Sequence, residues 1–271
     1  MNRILILGAS GFIGNTIYKE LCSYYDVYGT YRSKKSFRKN QHFIRFDMDI
    51  DGVDEVLKEV KPHIIISALR GDFDEQIAVH DVLIDYVKNS NRKIIFLSSA
   101  NVFDAFTNFP SYEMDKTLSE SKWGRLKIRI ENKLLRIPEK NYCIARVPMV
   151  FGTGSPRVQE ILAHHKLEVP YEVFPDLVMN TTYADKLAQQ IHYMVNRNKK
   201  GIFHLGSTDL IHHNEFIEEI CKGLQLKNIV FKNVYTSNYD RFLAVIPKDN
   251  KLPKHLQLTT DDVLKDSIKF S

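Results

Sequence analysis

The sequence predicts a doubly wound α/β fold, a parallel sheet with helices on both faces, with a small mixed α/β lobe in its second half. Three observations predict it. The apolar run Ile4, Leu5, Ile6, Leu7 leads directly into glycines at positions 8, 11 and 14. Strand-like and helix-like segments then alternate through residues 1–150. From 151 to 271 that regular alternation is lost.

The opening run is long enough for an interior parallel strand and too short for a helix. Its glycines follow the spacing G-x-x-G-x-x-G. Gly8 allows the tight turn, Gly11 lets the backbone approach a pyrophosphate, and Gly14 lets the new helix lie close on the strand with its N-terminus toward the anion. A glycine turn with no ligand is the bland alternative, but the strand before and helix after are the context a Rossmann site requires. The expected cofactor-binding residues here are Gly8, Ser10, Gly11, Phe12, Ile13 and Gly14.

The second strand is expected over Val27 to Tyr31. A carboxylate about 20 residues past the glycines binds the ribose of NAD, but the segment from Gly29 to Lys35 holds no acid. Arg32, helped by Ser33 and Lys34, suits a 2′-phosphate, which favours NADP (NADPH) over NAD; a solvated basic loop is the other reading. A third strand, Phe43 to Phe46, ends at Asp47, placed to reach an adenine amino group. A helix over Val53 to Val60 and a strand over His63 to Ser67 follow, and Ala68 and Leu69 would pass under the cofactor; ordinary strand-end chemistry is the other reading for Asp47 and for these residues. A helix over Phe73 to Asn89 and a strand over Lys93 to Leu97 complete the alternation, which implies parallel pairing with right-handed crossovers.

Composition excludes several classes. With 271 residues, 44% of them hydrophobic and 26% charged, the chain suits one full core and a small second lobe. A net charge of +5, with basic residues dispersed except between Arg32 and Lys39, argues for small anionic ligands over nucleic acid. Cys22, Cys143 and Cys221 lack metal-type spacing and read as reduced core thiols of a cytoplasmic protein. No leader or membrane span is expected, and no metal site. A homodimer is compatible with the sequence, which does not determine the oligomeric state.

The later motifs carry a resemblance. They run Ser98-Ser99-Ala100-Asn101-Val102-Phe103-Asp104, then Pro110-Ser111-Tyr112-Glu113-Met114-Asp115, then Trp123-Gly124-Arg125-Leu126-Lys127 with Glu131, then Arg146-Val147-Pro148-Met149-Val150-Phe151-Gly152. Their order and gaps resemble the extended short-chain dehydrogenase/reductases, especially the dTDP-4-dehydrorhamnose reductase family, and the segments from Asn180 to Ala188 and Gly201 to Leu205 extend the likeness over nearly the whole chain. The resemblance implies an NAD(P)-binding domain over 1–150. Residues 151–271 would be mainly a substrate lobe, with some segments returning to the first core, and the substrate a nucleotide-linked 4-keto sugar.

By that resemblance Ser99 is the hydroxyl that polarises the carbonyl and Lys127 the lysine that holds the nicotinamide ribose. The position of the family's proton-donating tyrosine is Trp123. An indole N–H donates a hydrogen bond but does not ionise, so ordinary catalysis should be impaired. A literal Y-x-x-x-K exists at Tyr112 and Lys116, and Tyr112 could replace the missing phenol. Its spacing from Ser99 is short, however, and Thr117 with Glu120 reads as a capping box after it. Water, Ser99 or Lys127 could relay the proton, or the pocket could bind without turnover. Trp123 also lines up with Leu126, Ile130 and Leu134 on the helix expected over Leu118 to Arg136, a plain core stripe.

After the sixth strand, Tyr142 to Arg146, a turn and a proline introduce a helix on which Arg157 could meet a diphosphate or lie exposed. Thr182 and Asp185 suggest a second capping box, beside which Tyr183 would line the sugar pocket or pack. His212 and His213, before a helix over Asn214 to Leu224, read as surface histidines. An ordered loop holding Pro247 and Pro253 precedes a final helix, Thr260 to Ile268. Two functions follow: an NADP-dependent reductase, or related epimerase or dehydratase, with an atypical proton route, or a non-catalytic NADP-binding regulator, as the methionine adenosyltransferase regulatory subunit in the same family is thought to be.

Overall fold

A computed structural model of the chain describes residues 2–269. The first part runs β1 (Arg3–Leu7), α1 (Phe12–Leu21), β2 (Asp26–Tyr31), β3 (Phe43–Arg45), α2 (Val53–Val60), β4 (Ile64–Ser67), α3 (Phe73–Val87), β5 (Lys93–Ser99), α4 (Lys122–Leu134) and β6 (Tyr142–Val147). It continues with β7 (Met149–Phe151), α5 (Pro156–Lys166), β8 (Tyr171–Val173), β9 (Leu177–Met179), β10 (Thr181–Tyr183), α6 (Ala184–Asn196) and β11 (Gly201–His204). The last part is β12 (Ile211–His212), α7 (His213–Gly223), β13 (Phe231–Asn233), β14 (Arg241–Leu243) and α8 (Thr260–Ser267).

Seven strands form the main sheet in the order β11-β6-β5-β4-β1-β2-β3. β1 pairs in parallel with both β2 and β4, Ile6 facing Gly29 on one side and Ile66 on the other. Ile4, Leu5, Ile6 and Leu7 are fully buried, as expected of a strand covered on both faces, and this is why the run is uniformly apolar instead of alternating. Between β1 and β4 the strand order reverses, and at such a point the loops at the carboxyl ends part to leave a crevice.

By packing, the chain forms two units interleaved in sequence. The first comprises Met1–Ser98, Arg125–Ala145 and Ala188–Phe203, and the second Ser99–Gly124, Arg146–Leu187 and His204–Ser271. Most of α6 and β11 belong to the first unit, and Ser99–Gly124 to the second. The second unit is mixed: β7 and β10 pair in parallel, β9 lies between antiparallel β12 and parallel β14, and β8 pairs with β13. Phe151, Ile161, Val173, Phe216, Ile220 and Val263 form the heart of its core.

Several expectations are corrected. α4 begins at Lys122, four residues later than expected, because Ser121 Oγ accepts the Gly124 N–H at 3.0 Å and caps the helix. The Thr117–Glu120 capping box does not form, and the Glu120 N–H donates to Asp104 Oδ1 at 2.7 Å instead. Thr182 lies inside β10, so the helix that follows starts too late for Thr182 and Asp185 to cap it. Cys22 is exposed at the end of α1, whereas Cys143 and Cys221 are buried as expected. His213 is buried, its Nδ1 accepting the Phe174 N–H at 3.3 Å, and burial lowers its pKa to about 4; of this adjacent pair, His212 alone is partly exposed, paired with Asp240.

Candidate nucleotide-binding and catalytic residues

The glycine turn is held by a residue the motif does not contain. Thr30, buried on β2, accepts the Gly8 N–H on its hydroxyl at 2.9 Å and the Ser10 N–H on its carbonyl at 3.1 Å. Gly8 has φ +81°, and a Cβ there would lie 2.6 Å from the Ala68 carbonyl oxygen. A Cβ on Gly14 would overlap the Gly8 carbonyl, so α1 docks on the turn only without one. Gly11 is the N-cap of α1 and offers no side-chain acceptor, and the first turn contains no acid. The N–H groups around Phe12 and Ile13 therefore lack side-chain capping, which is the donor set a pyrophosphate fits. Ala68 and the buried Leu69 follow β4 directly, with the Ala68 N–H donating to Leu7 O at 3.0 Å.

At the end of β2, Arg32 forms ion pairs with Asp47 through Nε at 3.2 Å and with Asp49 through Nη2 at 3.1 Å, while remaining 58% exposed. The basic segment is thus anchored and not a freely solvated loop. Lys34 Nζ donates to Ser10 O at 2.7 Å, tying this segment to the glycine turn.

Lys127 is 4% exposed. Its Nζ donates to Leu97 O at 3.1 Å and lies 4.7 Å from the centre of the Phe96 ring. Burial lowers its pKa to about 7, against a partial upward pull from Glu131 and a further lowering by Arg70. Glu131, one turn on, accepts the Ser98 hydroxyl at 2.5 Å. Below them Ser67 and His80 are linked at 3.0 Å; the His80 Nδ1 sits 2.6 Å from Gln76 O, which leaves Nε2 to accept the serine proton. Burial lowers the His80 pKa to about 4.

Ser99 ends β5 and caps the short 3₁₀ turn Ala100–Phe103. Its Oγ donates to Asn101 Oδ1 at 2.9 Å and accepts the Asn101 N–H at 3.2 Å. A Cβ on Gly124 would overlap the Asn101 carbonyl oxygen, so the start of α4, carrying Trp123, abuts the turn that carries Ser99. Trp123 is only half-buried, whereas Leu126, Ile130 and Leu134 behind it are buried. The core stripe therefore ends before the indole. Tyr112 and Lys116 lie in a turn, not on a helix, so the literal Y-x-x-x-K does not put them on one helical face. Tyr112 is half-buried with the Lys248 ammonium 4.8 Å over its ring.

Arg157 follows the proline that opens α5 and stacks over Phe151 at 5.6 Å, and Ser155 caps that helix. Tyr183 packs against the second unit's core. The resemblance motifs contain Glu113 and Arg146 without giving either a role, and both belong to one buried polar group. The Glu113 carboxylate accepts the N–H groups of Lys248, Asp249 and Asn250 at 3.1–3.3 Å. Arg146 Nη1 donates to Glu113 O at 3.0 Å and lies 3.4 Å from His204 Nε2. An arginine in an otherwise apolar strand was the available signal for this network.

A doubly wound sheet whose first turn is three spaced glycines places the chain among dinucleotide-binding proteins. Residues 1–259 match the RmlD substrate binding domain, and the chain belongs to that family. It is 25% identical over 257 residues to the methionine adenosyltransferase 2 subunit beta of Danio rerio, covering 83% of this chain and 74% of that one. In fold it is similar to a dTDP-4-dehydrorhamnose reductase from Bacillus anthracis in complex with NADP, with TM-score 0.74, 21% identity and 98% of each chain covered. A dTDP-glucose 4,6-dehydratase from the same organism, in complex with NAD, gives TM-score 0.79 at 16% identity over 99% of this chain and 96% of that one.

Proposed function

We propose that the protein is an NADP-dependent oxidoreductase acting on a nucleotide-linked 4-keto sugar, with Lys127 taking over the proton delivery that a phenol normally performs. The observation that carries this reading is the lysine itself. It is buried one helical turn beyond Trp123, and its pKa is lowered to about 7. An ordinary lysine, with pKa near 10.4, is too weak an acid to release a proton at neutral pH. One depressed to near neutrality is matched to general-acid work.

The glycine turn would hold the cofactor's pyrophosphate on the α1 amides, Asp47 would meet the adenine, and Arg32 with Lys34 would face a 2′-phosphate. When bound, the nicotinamide supplies a hydride to the sugar carbonyl carbon. To polarise that carbonyl, Ser99 Oγ must turn its proton away from Asn101 Oδ1, where it now points at 2.9 Å. Trp123 would orient the sugar by its indole N–H or by stacking. Arg157 and Tyr183 remain the proposed contacts for the nucleotide sugar in the second unit.

A second reading is supported by the identity of position 123 and by the similarity to a subunit named for a methionine adenosyltransferase. In it the chain binds NADP and regulates a partner without turnover. Cofactor titration followed by an assay of NADPH oxidation against a panel of 4-keto nucleotide sugars separates the two. Turnover that disappears in Lys127→Met supports the first, and tight NADPH binding with no consumption by either the natural protein or Trp123→Tyr supports the second.

A further inference from the structure

The opposite end of the sheet from the glycine turn carries a cavity of about 500 Å³ lined by Arg3, Lys61, His63, Ser90, Asn91 and Arg92. Arg3 opens β1, His63 immediately precedes β4, and Arg92 immediately precedes β5. These strands run parallel, so all three residues lie at amino ends, while Gly8, Ala68 and Ser98 lie at carboxyl ends. The five residues of β1 separate the two ends, which at about 3.3 Å per residue is roughly 15 Å.

The lining has one electrostatic sign. It contains two arginines, a lysine and a histidine, and no carboxylate. Local structure accounts for part of this. Arg3 Nε pairs with Asp26 at 2.9 Å and its Nη1 donates to Val60 O at 2.7 Å, while Arg92 Nη1 donates to Tyr86 O at 3.3 Å. Each arginine thus caps the carboxyl end of a helix, α2 or α3, with one arm.

Capping leaves other donors unused. His63 Nδ1 accepts the Arg3 N–H at 3.1 Å, so the neutral ring carries its hydrogen on Nε2. Asn91 Oδ1 accepts Lys140 Nζ at 3.5 Å, which adds another cation and leaves the Asn91 amide N–H₂ as a donor. The Lys61 ammonium has no ion-pair partner among the described residues. Both guanidiniums are braced on rings, Arg92 4.2 Å above Tyr86 and Arg3 5.8 Å from Tyr28, so they are ordered in advance of any ligand.

We propose that this cavity is a second anion site, separate from the glycine turn, that takes a phosphate-bearing small molecule of the pyrophosphate or nucleoside-diphosphate class. A convergent set of cationic and N–H donors with no carboxylate among the lining residues favours an anion, and guanidinium groups match phosphate oxygens. The volume exceeds what orthophosphate fills and falls in the range of sites for larger small molecules.

The test is calorimetric titration of the full chain with inorganic pyrophosphate, ADP and orthophosphate. Lys61→Glu and Asn91→Asp remove attraction at the cavity, and Gly11→Asp places a carboxylate at the α1 turn. Pyrophosphate affinity reduced tenfold or more by Lys61→Glu and by Asn91→Asp, and retained in Gly11→Asp, is the expected result. Absence of pyrophosphate binding overturns the proposal, as does binding that Gly11→Asp abolishes and Lys61→Glu leaves intact. ADP binding more tightly than pyrophosphate at the Lys61-dependent site supports a nucleotide ligand, and equal binding supports an inorganic diphosphate. Because Lys61 is exposed beyond the end of α2, its variant is expected to melt with the parent, and Asn91→Asp provides an independent reading.

Discussion

At position 123 an indole N–H can donate a hydrogen bond and cannot release a proton in the accessible pH range. On the proposed reading, placing a phenol there is expected to raise NADPH oxidation on a 4-keto nucleotide sugar by about 10²-fold in Trp123→Tyr, the lower end of what general acid catalysis contributes, read as kcat. Tyr112→Phe tests the alternative donor, and a comparable loss of rate there would reassign the proton to Tyr112. Lys127 makes a second prediction, in stability. Its folded pKa of about 7 lies below the unfolded value, so between those values the unfolded chain binds the extra proton. Stability therefore rises with pH across that window, and the cost of burying the ammonium is fully present below about pH 7. Lys127→Met, which removes the titrating ammonium, is expected to flatten the fall in stability between pH 10 and pH 7, as measured by urea denaturation.

At the scale of elements, the start of α4 controls how the candidate site is assembled. The helix begins where Ser121 caps the Gly124 N–H, and Gly124 lets that first turn approach the Ser99–Asn101 turn. Ser121→Ala is expected to cost about 1 kcal/mol, whereas Thr117→Ala stays within about 0.5 kcal/mol, both read from chemical denaturation midpoints. The Thr117-x-x-Glu120 spacing predicts a helix start at Leu118, whereas Ser121, with Gly124 and no acid three residues on, carries no such pattern and is the residue that caps the helix. Asp104 decided between them by binding the Glu120 N–H and holding residues before Lys122 out of the helix. That contact joins residues 16 apart, and no capping pattern contains it.

Across the whole molecule, three histidines are buried in neutral form. His80, His204 and His213 have pKa values lowered by burial to about 4, about 3 and about 4, and Arg146 pushes His204 further down. Folded pKa values below the unfolded 6.5 mean that the unfolded chain takes up protons first as pH falls. Each group then removes about 1.4 kcal/mol of stability per pH unit until its folded pKa is reached. Together they give a slope of about 4 kcal/mol per unit below pH 6, so cooperative acid unfolding is expected well above pH 3, followed by far-ultraviolet circular dichroism. His80→Gln, which retains a polar side chain in place of the titrating ring, should flatten that slope by about one third. Two of these histidines belong to the second unit, so acid should loosen that unit as well as the sheet.

The sequence alone determined the doubly wound sheet, the glycine turn and the family itself, because each is written in contiguous apolar runs or in fixed local spacing. Tertiary structure decided that Arg32 is paired with Asp47 and Asp49, that Thr30 laces the glycine turn, that His213 is interior, and that Lys127 titrates near neutrality. Burial and pairing arise from residues far apart in the chain. Side-chain charge states follow from that burial, and no local pattern encodes it.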